Sequence, residues 1–412
     1  MSNPGPSYLV AMLGARMHYA VPRILHRENR LSRLLTDFSA TQGVLGVLGH
    51  WPKGLRPRVL ERLLNRTPKE VPPERIRAFT RLGIRYARAF ARTNTELERV
   101  RLFLDVNRRF TEWVAQQDWA GATAVFGYNT AALEILQHAR RQGLHGVVEQ
   151  TIAPYAFERQ LLADERNRYP NWEPDPGSAP EFDQFAEREG QEWDLADLVL
   201  CGSDFVRDSV IAYGGPAERC VVVPYGVDNR FDVPERAEHE GPLRVLTVGA
   251  AGLRKGTPYA VEAAKGLRGR AQFRWVGGLK LAESARNELG SDIEFTGMVP
   301  RSEVVKHYAW ADVLLLPSLC EGSATSTYEA LTSGLPVVCT PNCGSVVRDG
   351  AEGFIVPIRD PAAICARLDE LASDVERRRM MGKLARARAA EFDFETYARN
   401  LLTALDRIEA QR

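Results

Sequence analysis

The stretch Leu314-Leu-Leu-Pro-Ser-Leu-Cys-Glu-Gly-Ser-Ala-Thr-Ser-Thr-Tyr-Glu329 packs three kinds of local structure into sixteen residues. An apolar run suited to a buried strand gives way to a Ser/Gly-rich turn, and the turn opens a helix. Two carboxylates, Glu321 and Glu329, stand eight positions apart. The first falls at the strand end and the second about one helical turn further in. In open α/β sheets ligands settle at the carboxyl ends of strands, where helix N-termini leave backbone N–H groups free. Carboxylates accept hydrogen bonds from sugar hydroxyls with good directionality, so this pair fits a grip on two sugars. Taken alone, the pair fits a solvated helix face equally well.

A second turn of the same kind lies upstream at Val248-Gly-Ala-Ala-Gly-Leu-Arg-Lys-Gly256. Glycine lets a backbone approach phosphate closely, and Arg254 and Lys255 suit the neutralisation of a diphosphate. Glycine-rich turns are common for conformational reasons alone. A diphosphate cradle and a sugar-gripping pair in one stretch of chain form the stronger joint signal.

Around these turns, short apolar strands alternate with helical patterns, which predicts α/β architecture with parallel sheets. Strands are expected at Tyr8–Met12, Ala122–Phe126, Gly146–Glu149 and Leu198–Cys201, and Ser203 is expected to cap a helix starting at Asp204. Residues 56–115 read as helical and Arg-rich, with Arg81, Arg85, Arg88 and Arg92 on one helix face. After a Pro/Glu/Gly linker at 232–242, strands are expected at Arg244–Val248, Phe273–Val276, Ile293–Phe295, Val313–Leu316, Pro336–Cys339 and Phe354–Val356. With 412 residues, the chain exceeds what one core usually organises. The expected division is 1–235, 236–390 and a C-terminal segment 391–412.

Here a family resemblance enters. Glu321 and Glu329 resemble the E-x7-E element of retaining GT-B glycosyltransferases, in particular glycosyltransferase family four (glycosyl transferases group 1). Further segments agree in order: Ser203-Asp-Phe-Val-Arg-Asp208, Pro224-Tyr-Gly-Val-Asp228 with Phe231, Val248-Gly249, Lys255-Gly256, Phe295-Thr-Gly297, Glu329-Ala-Leu-Thr-Ser-Gly-Leu-Pro-Val337 and Asp349-Gly-Ala-Glu-Gly-Phe-Ile-Val-Pro357. They cover 198–360 densely, whereas the first 190 residues are similar only in layout. The resemblance implies two Rossmann-like domains facing across a cleft, an acceptor-binding one before a donor-binding one, and a last helix around Glu395–Ile408 that crosses back to the first.

The resemblance also implies roles. Glu321 would hold donor-sugar hydroxyls, with backbone N–H groups of Gly322, Ser323, Ala324 and Thr325 near sugar and phosphate. Glu329 would hold the ribose, and Lys255 the diphosphate, alongside Gly249. Gly14, after the first strand, would admit the donor phosphate. The family often has Arg after the Val-Gly pair, where this chain has Ala250, so Arg254 becomes the candidate second cation. The family often has His near the strand ending at Phe126, where this chain reads Gly127-Tyr-Asn129, so Asn129 is a positional candidate for acceptor contact. His18 suits either a cleft contact or a loop histidine packed with Met17 and Tyr19.

The implied activity is hexosyl transfer from a nucleotide-diphosphate sugar to a glycan, lipid-linked or small-molecule acceptor, with retention of anomeric configuration. No cofactor and no metal are expected. The chain holds no Asp-X-Asp pair, so Lys255, Arg254 and helix N-termini are left to stabilise the charge. Double displacement needs a carboxylate beneath the anomeric carbon, and the sequence points to none. Rival readings are a catalytically silent nucleotide-sugar scaffold subunit, a nucleotide-sugar epimerase, or a phosphorylase, which needs a pyridoxal-bearing Lys. A nicotinamide dehydrogenase is disfavoured because no G-x-G-x-x-G turn follows the first strand.

Charge narrows the partners. The whole chain carries +1, but residues 1–110 hold 21 Lys+Arg against 8 Asp+Glu, and the remainder sums to −12. Overall near-neutrality argues against nucleic acid, while the basic end suits an anionic membrane surface, each Lys/Arg contributing roughly 1 kcal/mol near such lipid. Against that stands the acidic stretch 173–197, which would cancel the patch if the two packed together. Six cysteines lack metal-ligand spacing. With no signal-peptide core or membrane span in evidence, the expectation is a cytoplasmic protein, peripheral on the inner face of the plasma membrane.

Overall fold

A computed structural model of the chain describes residues 5–40, 66, 68–226, 233 and 239–408. Two all-parallel sheets organise it. The first runs in the order β3-β2-β1-β4-β5-β6-β7, and the second β10-β9-β8-β11-β12-β13. The first comprises β1 (Tyr8–Met12), β2 (Leu31–Thr36), β3 (Ile76–Ala78), β4 (Ala124–Tyr128), β5 (His145–Gln150), β6 (Leu198–Cys201) and β7 (Cys220–Val222). The second comprises β8 (Leu243–Val248), β9 (Ala271–Val276), β10 (Ile293–Gly297), β11 (Val313–Leu316), β12 (Val337–Cys339) and β13 (Gly353–Ile355). Successive residues of a central strand feed opposite faces: Val10 joins one apolar cluster while Leu9 and Ala11 join another, and Val245 and Leu246 divide the same way. Strands buried on both faces read as unbroken apolar runs, which is why the sequence pattern locates them.

Each sheet begins in its middle, grows to one edge and then crosses to the other side. The crevices at these reversals lie beside the ends of β1 and β4 and of β8 and β11. This places Gly14, the 249–256 turn and the 317–325 turn at the crevices. A fully parallel α/β fold of this kind agrees with the expected class.

Two sequence expectations need correction. Residues 56–115 are not helical throughout. Ile76–Ala78 forms edge strand β3, and helices α2 (Thr80–Phe90) and α3 (Glu96–Ala115) are separate. Arg92 lies beyond α2, because the Thr95 side chain accepts from Glu98 N–H and Glu98 reaches back, starting a new helix with a capping box. The part of that stretch at 56–65 and 67, and most of the expected linker with the 235/236 boundary, lie outside the described residues. Strand β2 escaped the sequence reading because Leu31-Ser-Arg-Leu-Leu-Thr36 shows neither alternation nor an unbroken apolar run.

Packing does not follow chain order strictly. The helix Phe394–Asp406 lays Tyr397, Ala398, Leu401 and Leu405 into the core of the first sheet, against Tyr8 and Ile24. In the opposite sense, helix α5 (Tyr155–Arg168) and the segment after it enter the core of the second: Leu161, Leu162 and Trp172 pack with Leu253, Tyr259, Leu281 and Ala285. Polar contacts fasten this dock. Buried Glu165 accepts from Tyr259 Oη (2.6 Å) and from Arg359 Nε (2.5 Å), and Leu253 N–H donates to Glu173 Oε1 (2.7 Å). Helix α7 (Asp204–Ala212, with α6 at Pro180–Leu195) starts at Ser203 as expected, and Ser203 Oγ also donates to Gly322 O at 2.6 Å.

Two outcomes follow from this junction. Trp172→Ala empties a buried indole site shared by both units, at an expected loss of about 3–5 kcal/mol, read from the urea unfolding midpoint. A Cβ at Gly322 would lie 1.9 Å from Thr151 O. Gly322→Ala is therefore expected to push the two sheets apart, measurable as a larger radius of gyration in small-angle X-ray scattering.

Candidate active site

The turn after β8 and the turn after β11 meet at Glu321. Lys255 Nζ lies 2.9 Å and Arg254 Nη1 3.0 Å from the same oxygen, Glu321 Oε1. Arg254 Nη1 also donates to Cys320 O at 2.7 Å. Glycine makes this approach feasible at two positions with left-handed backbone. A Cβ on Gly256 (φ +67°) would sit 2.0 Å from Pro317 O, and one on Gly249 (φ +135°) would strike the Lys255 stem at 2.7 Å. Burial pushes the Glu321 carboxyl up, but Lys255 and Arg254 outweigh burial and hold it below its ordinary range, so the group is ionised. The Arg254 guanidinium is held charged by Glu321 and Glu158 against its own desolvation.

Glu158 enters from α5, with Oε1 3.8 Å from Arg254 Nε. It was not singled out in the sequence, because an acidic residue in a helix carries no local sign of reaching another domain. Its burial, larger than the pull of Arg254, raises its carboxyl pKa.

Glu329 occupies a separate place. It lies on helix α11 (Thr325–Thr332, with α8 at Thr257–Gly266, α9 at Glu283–Glu288 and α10 at Arg301–Trp310), where its carboxylate accepts from Arg301 and from Tyr308 Oη (2.9 Å). Glu321 and Glu329 thus belong to two adjoining regions. Glu329, His18, Arg23, Tyr225 and Arg301 line a cavity of about 580 Å³. Arg254, Lys255, Gly14 and Asn129 line another of about 550 Å³ between the sheets. His18 is exposed, with φ +52° between Met17 and Tyr19 that are also left-handed, and it faces the Glu329 cavity. Three consecutive side-chain-bearing residues in that region concentrate backbone strain at the cavity wall.

The remaining candidates divide. Gly14 (φ +85°) has open space where a Cβ would be, but its N–H donates to Asp37 Oδ1 at 2.9 Å. Ser323 Oγ pairs with Tyr328 Oη at 2.7 Å. Of the N–H groups expected to face sugar and phosphate, that of Ala324 is taken by Cys343 O at 3.1 Å. The sequence could not show this, since the loop around Cys343 folds over from beyond β12. Thr325 opens α11 on the wall of the Glu329 cavity. Asn129 donates to Glu189 (3.0 Å) and accepts from Thr151 N–H (3.2 Å) and Thr151 Oγ (2.9 Å), so its amide braces the cavity wall.

The family model for glycosyl transferases group 1 matches residues 242–374. Among curated proteins, the chain is 30% identical over 200 residues to the amylovoran biosynthesis glycosyltransferase AmsK of Erwinia amylovora, covering 43% of this chain and 49% of that one. It is 31% identical over 245 residues to a D-inositol 3-phosphate glycosyltransferase of Geodermatophilus obscurus, covering 52% and 54%. The chain spans about half the length of these relatives. Among solved structures, sucrose-phosphate synthase from Thermosynechococcus elongatus superposes with a TM-score of 0.67 at 16% identity, over 98% of this chain and all of that one. Anabaena HepE, solved with UDP and glucose, gives 0.60 at 15% identity over 98% and 100%. At such identities these structures speak to the fold, which is GT-B. Motif order, matched domain and fold agree: residues 242–374 match the glycosyl transferases group 1 family, within a GT-B fold.

Proposed function

We propose that the chain transfers a hexosyl group from a nucleotide-diphosphate sugar to a glycan, lipid-linked or small-molecule acceptor, with retention and without a metal ion. The observation that carries this reading is the convergence of Lys255 and Arg254 on Glu321 after β11, the two cations themselves lining a cavity shared with the first domain. A diphosphate entering here draws the two cations toward itself and frees the carboxylate to accept sugar hydroxyls. Charge developing on the departing phosphate is then met by groups already in position. Arg254, 3.0 Å from Glu321, supports its reading as the second cation in place of the Arg absent at Ala250. Glu329, oriented by Arg301 and Tyr308, suits the ribose hydroxyls.

In the proposed step the anomeric C–O bond to phosphate breaks and the acceptor oxygen bonds from the same face. The acceptor proton passes to the leaving phosphate oxygen. Glu158 clamps Arg254 from the acceptor side. The reading draws support from HepE, which binds UDP and glucose, and from relatives named for polymer and inositol-phosphate glycosylation. Assembly of a bacterial polysaccharide or glycoconjugate in the cytoplasm is the setting proposed.

Peripheral membrane binding is proposed for α2. No helix among the described residues is long and apolar enough to cross a membrane. Arg81, Arg85, Arg88 and Arg92 are exposed and lack a carboxylate in ion-pairing distance among the described residues, with Ile84 and Phe90 each 43% exposed beside them. The acidic stretch meets the basic end at α3, where Glu181 pairs with Arg101, and Glu189 and Glu192 accept backbone N–H groups, which leaves the arginines of α2 without these carboxylates. Cations beside exposed apolar side chains suit an anionic lipid surface.

Glu321→Gln is expected to abolish transfer with the fold intact, at a lowered unfolding midpoint because Lys255 and Arg254 lose their carboxylate, and Lys255→Ala to weaken UDP or GDP binding at least tenfold by calorimetry. Unchanged turnover of Glu321→Gln with every donor tried would sink the assignment. For α2, co-sedimentation with phosphatidylglycerol vesicles should fall with added salt and disappear in a triple Arg81, Arg85 and Arg88 to Glu variant. Binding indifferent to both lipid charge and salt would count against it.

A further inference from the structure

The charges lining the cavity between the sheets do not balance locally. Each carboxylate there already has a partner. Asp37 takes Gly14 N–H and Arg66, Glu96 takes the Tyr155 hydroxyl and Arg166, and Glu173 takes Leu253 N–H. Glu189 takes Gln150, Asn129 and Tyr155 N–H, and Glu158 faces Arg254. Among the cations, Arg66, Arg166, Arg254 and Lys255 are paired with carboxylates. Arg16, Arg99 and Lys280 line the same cavity, and among the described residues none of the three has a carboxylate in ion-pairing distance; Arg16 lies over the Tyr128 ring, 5.3 Å from its centroid.

Arg99 and Lys280 come from opposite sides. Arg99 stands in the first turn of α3, and Lys280 follows the loop after β9. They nonetheless feel one another. Burial first, then Arg254 and Arg99, depress the Lys280 ammonium below its ordinary range, and Glu158 and Glu173 only partly offset this. Like charges crowded at a cavity wall are a destabilising arrangement until an anion enters between them. Around them stand aromatic faces: Tyr155 meets Phe185 edge-on at 4.9 Å, and Phe185 neighbours Phe103 at 6.2 Å. Rings of this kind line sites whose ligands combine an apolar face with a few fixed polar groups.

We propose that Arg99 and Lys280 form an anion site for the acceptor, which is a sugar carrying a phosphate or a carboxylate, held across the two domains beside the donor cations. This rests on the donor reading above and adds the acceptor's chemical class. The carboxylates of the cavity have partners, while Arg99 and Lys280, one from each wall, have no carboxylate in ion-pairing distance among the described residues, so the cavity selects negative charge. An acceptor bridging Arg99 and Lys280 also touches both domains at once, so its binding favours the closed cleft.

The test is calorimetry on the full chain saturated with whichever of UDP, GDP or ADP it binds. Glucose 6-phosphate supplies the phosphate arm, glucuronate the carboxylate arm and glucose the neutral control. At least one anionic probe should bind tenfold or more tighter than glucose. Arg99→Ala and Lys280→Ala should each remove fivefold or more of that affinity, with nucleotide affinity changed less than twofold. Anionic probes that bind no better than glucose, or affinity untouched by both variants, would overturn the proposal. So would an equal loss of nucleotide affinity, which would assign both cations to the donor diphosphate. If no nucleotide binds, the donor reading itself fails, and the same probes without nucleotide still decide whether the anion site exists.

Discussion

A carboxylate buried to the extent of Glu321 must be neutralised where it stands, because desolvating a lone charge costs several kcal/mol. Two cations meet it at 2.9 and 3.0 Å, both from one turn. That requirement constrains the surrounding chain. The turn after β8 must lie against the turn after β11, which the neighbouring positions of these strands provide. It must also lie so close that a side chain at 256 would collide with Pro317 O, hence glycine. Sheet order, glycine placement and the paired cations are one arrangement seen at three scales.

The same triad links the domains. Arg254 touches Glu321 on its own side and faces Glu158 of α5 on the other, so the guanidinium is held between a strand-end carboxylate and a helix of the first half. Glu173 capping the Leu253 N–H adds a second tie to the same turn. Arg254, proposed as the second cation, is therefore positioned by residues 96 and 81 positions upstream. A substitution of Glu158 in α5 would reach the Glu321 turn through Arg254.

Much of this was legible in the sequence, for physical reasons that differ by region. Strands β1, β6 and β11 are buried on both faces and announce themselves as apolar runs. The Ser203 cap is a local side-chain-to-backbone bond, and local bonds leave local signatures. The E-x7-E pair and Lys255 are close in sequence to the turns that place them. What escaped was non-local. Glu158 reads as a surface helix acid until α5 is docked. The occupied N–H of Ala324 depends on a loop near Cys343. The partners Arg301 and Tyr308 of Glu329 come from α10, a full element away. The β3 edge strand is three residues long with one buried side chain, too little for any periodicity.

The exchange of elements between halves bears on how the molecule divides. Leu161, Leu162 and Trp172 belong by sequence to the first half but by packing to the second, and the final helix makes the reverse journey. A fragment cut at the linker would leave each piece with a bare apolar socket where the other's element had been, and an apolar element without its socket. Chimaeras that swap first halves between relatives would inherit the same mismatch unless α5 and its following segment travel with the second half. The modular unit is set by core membership rather than by the linker.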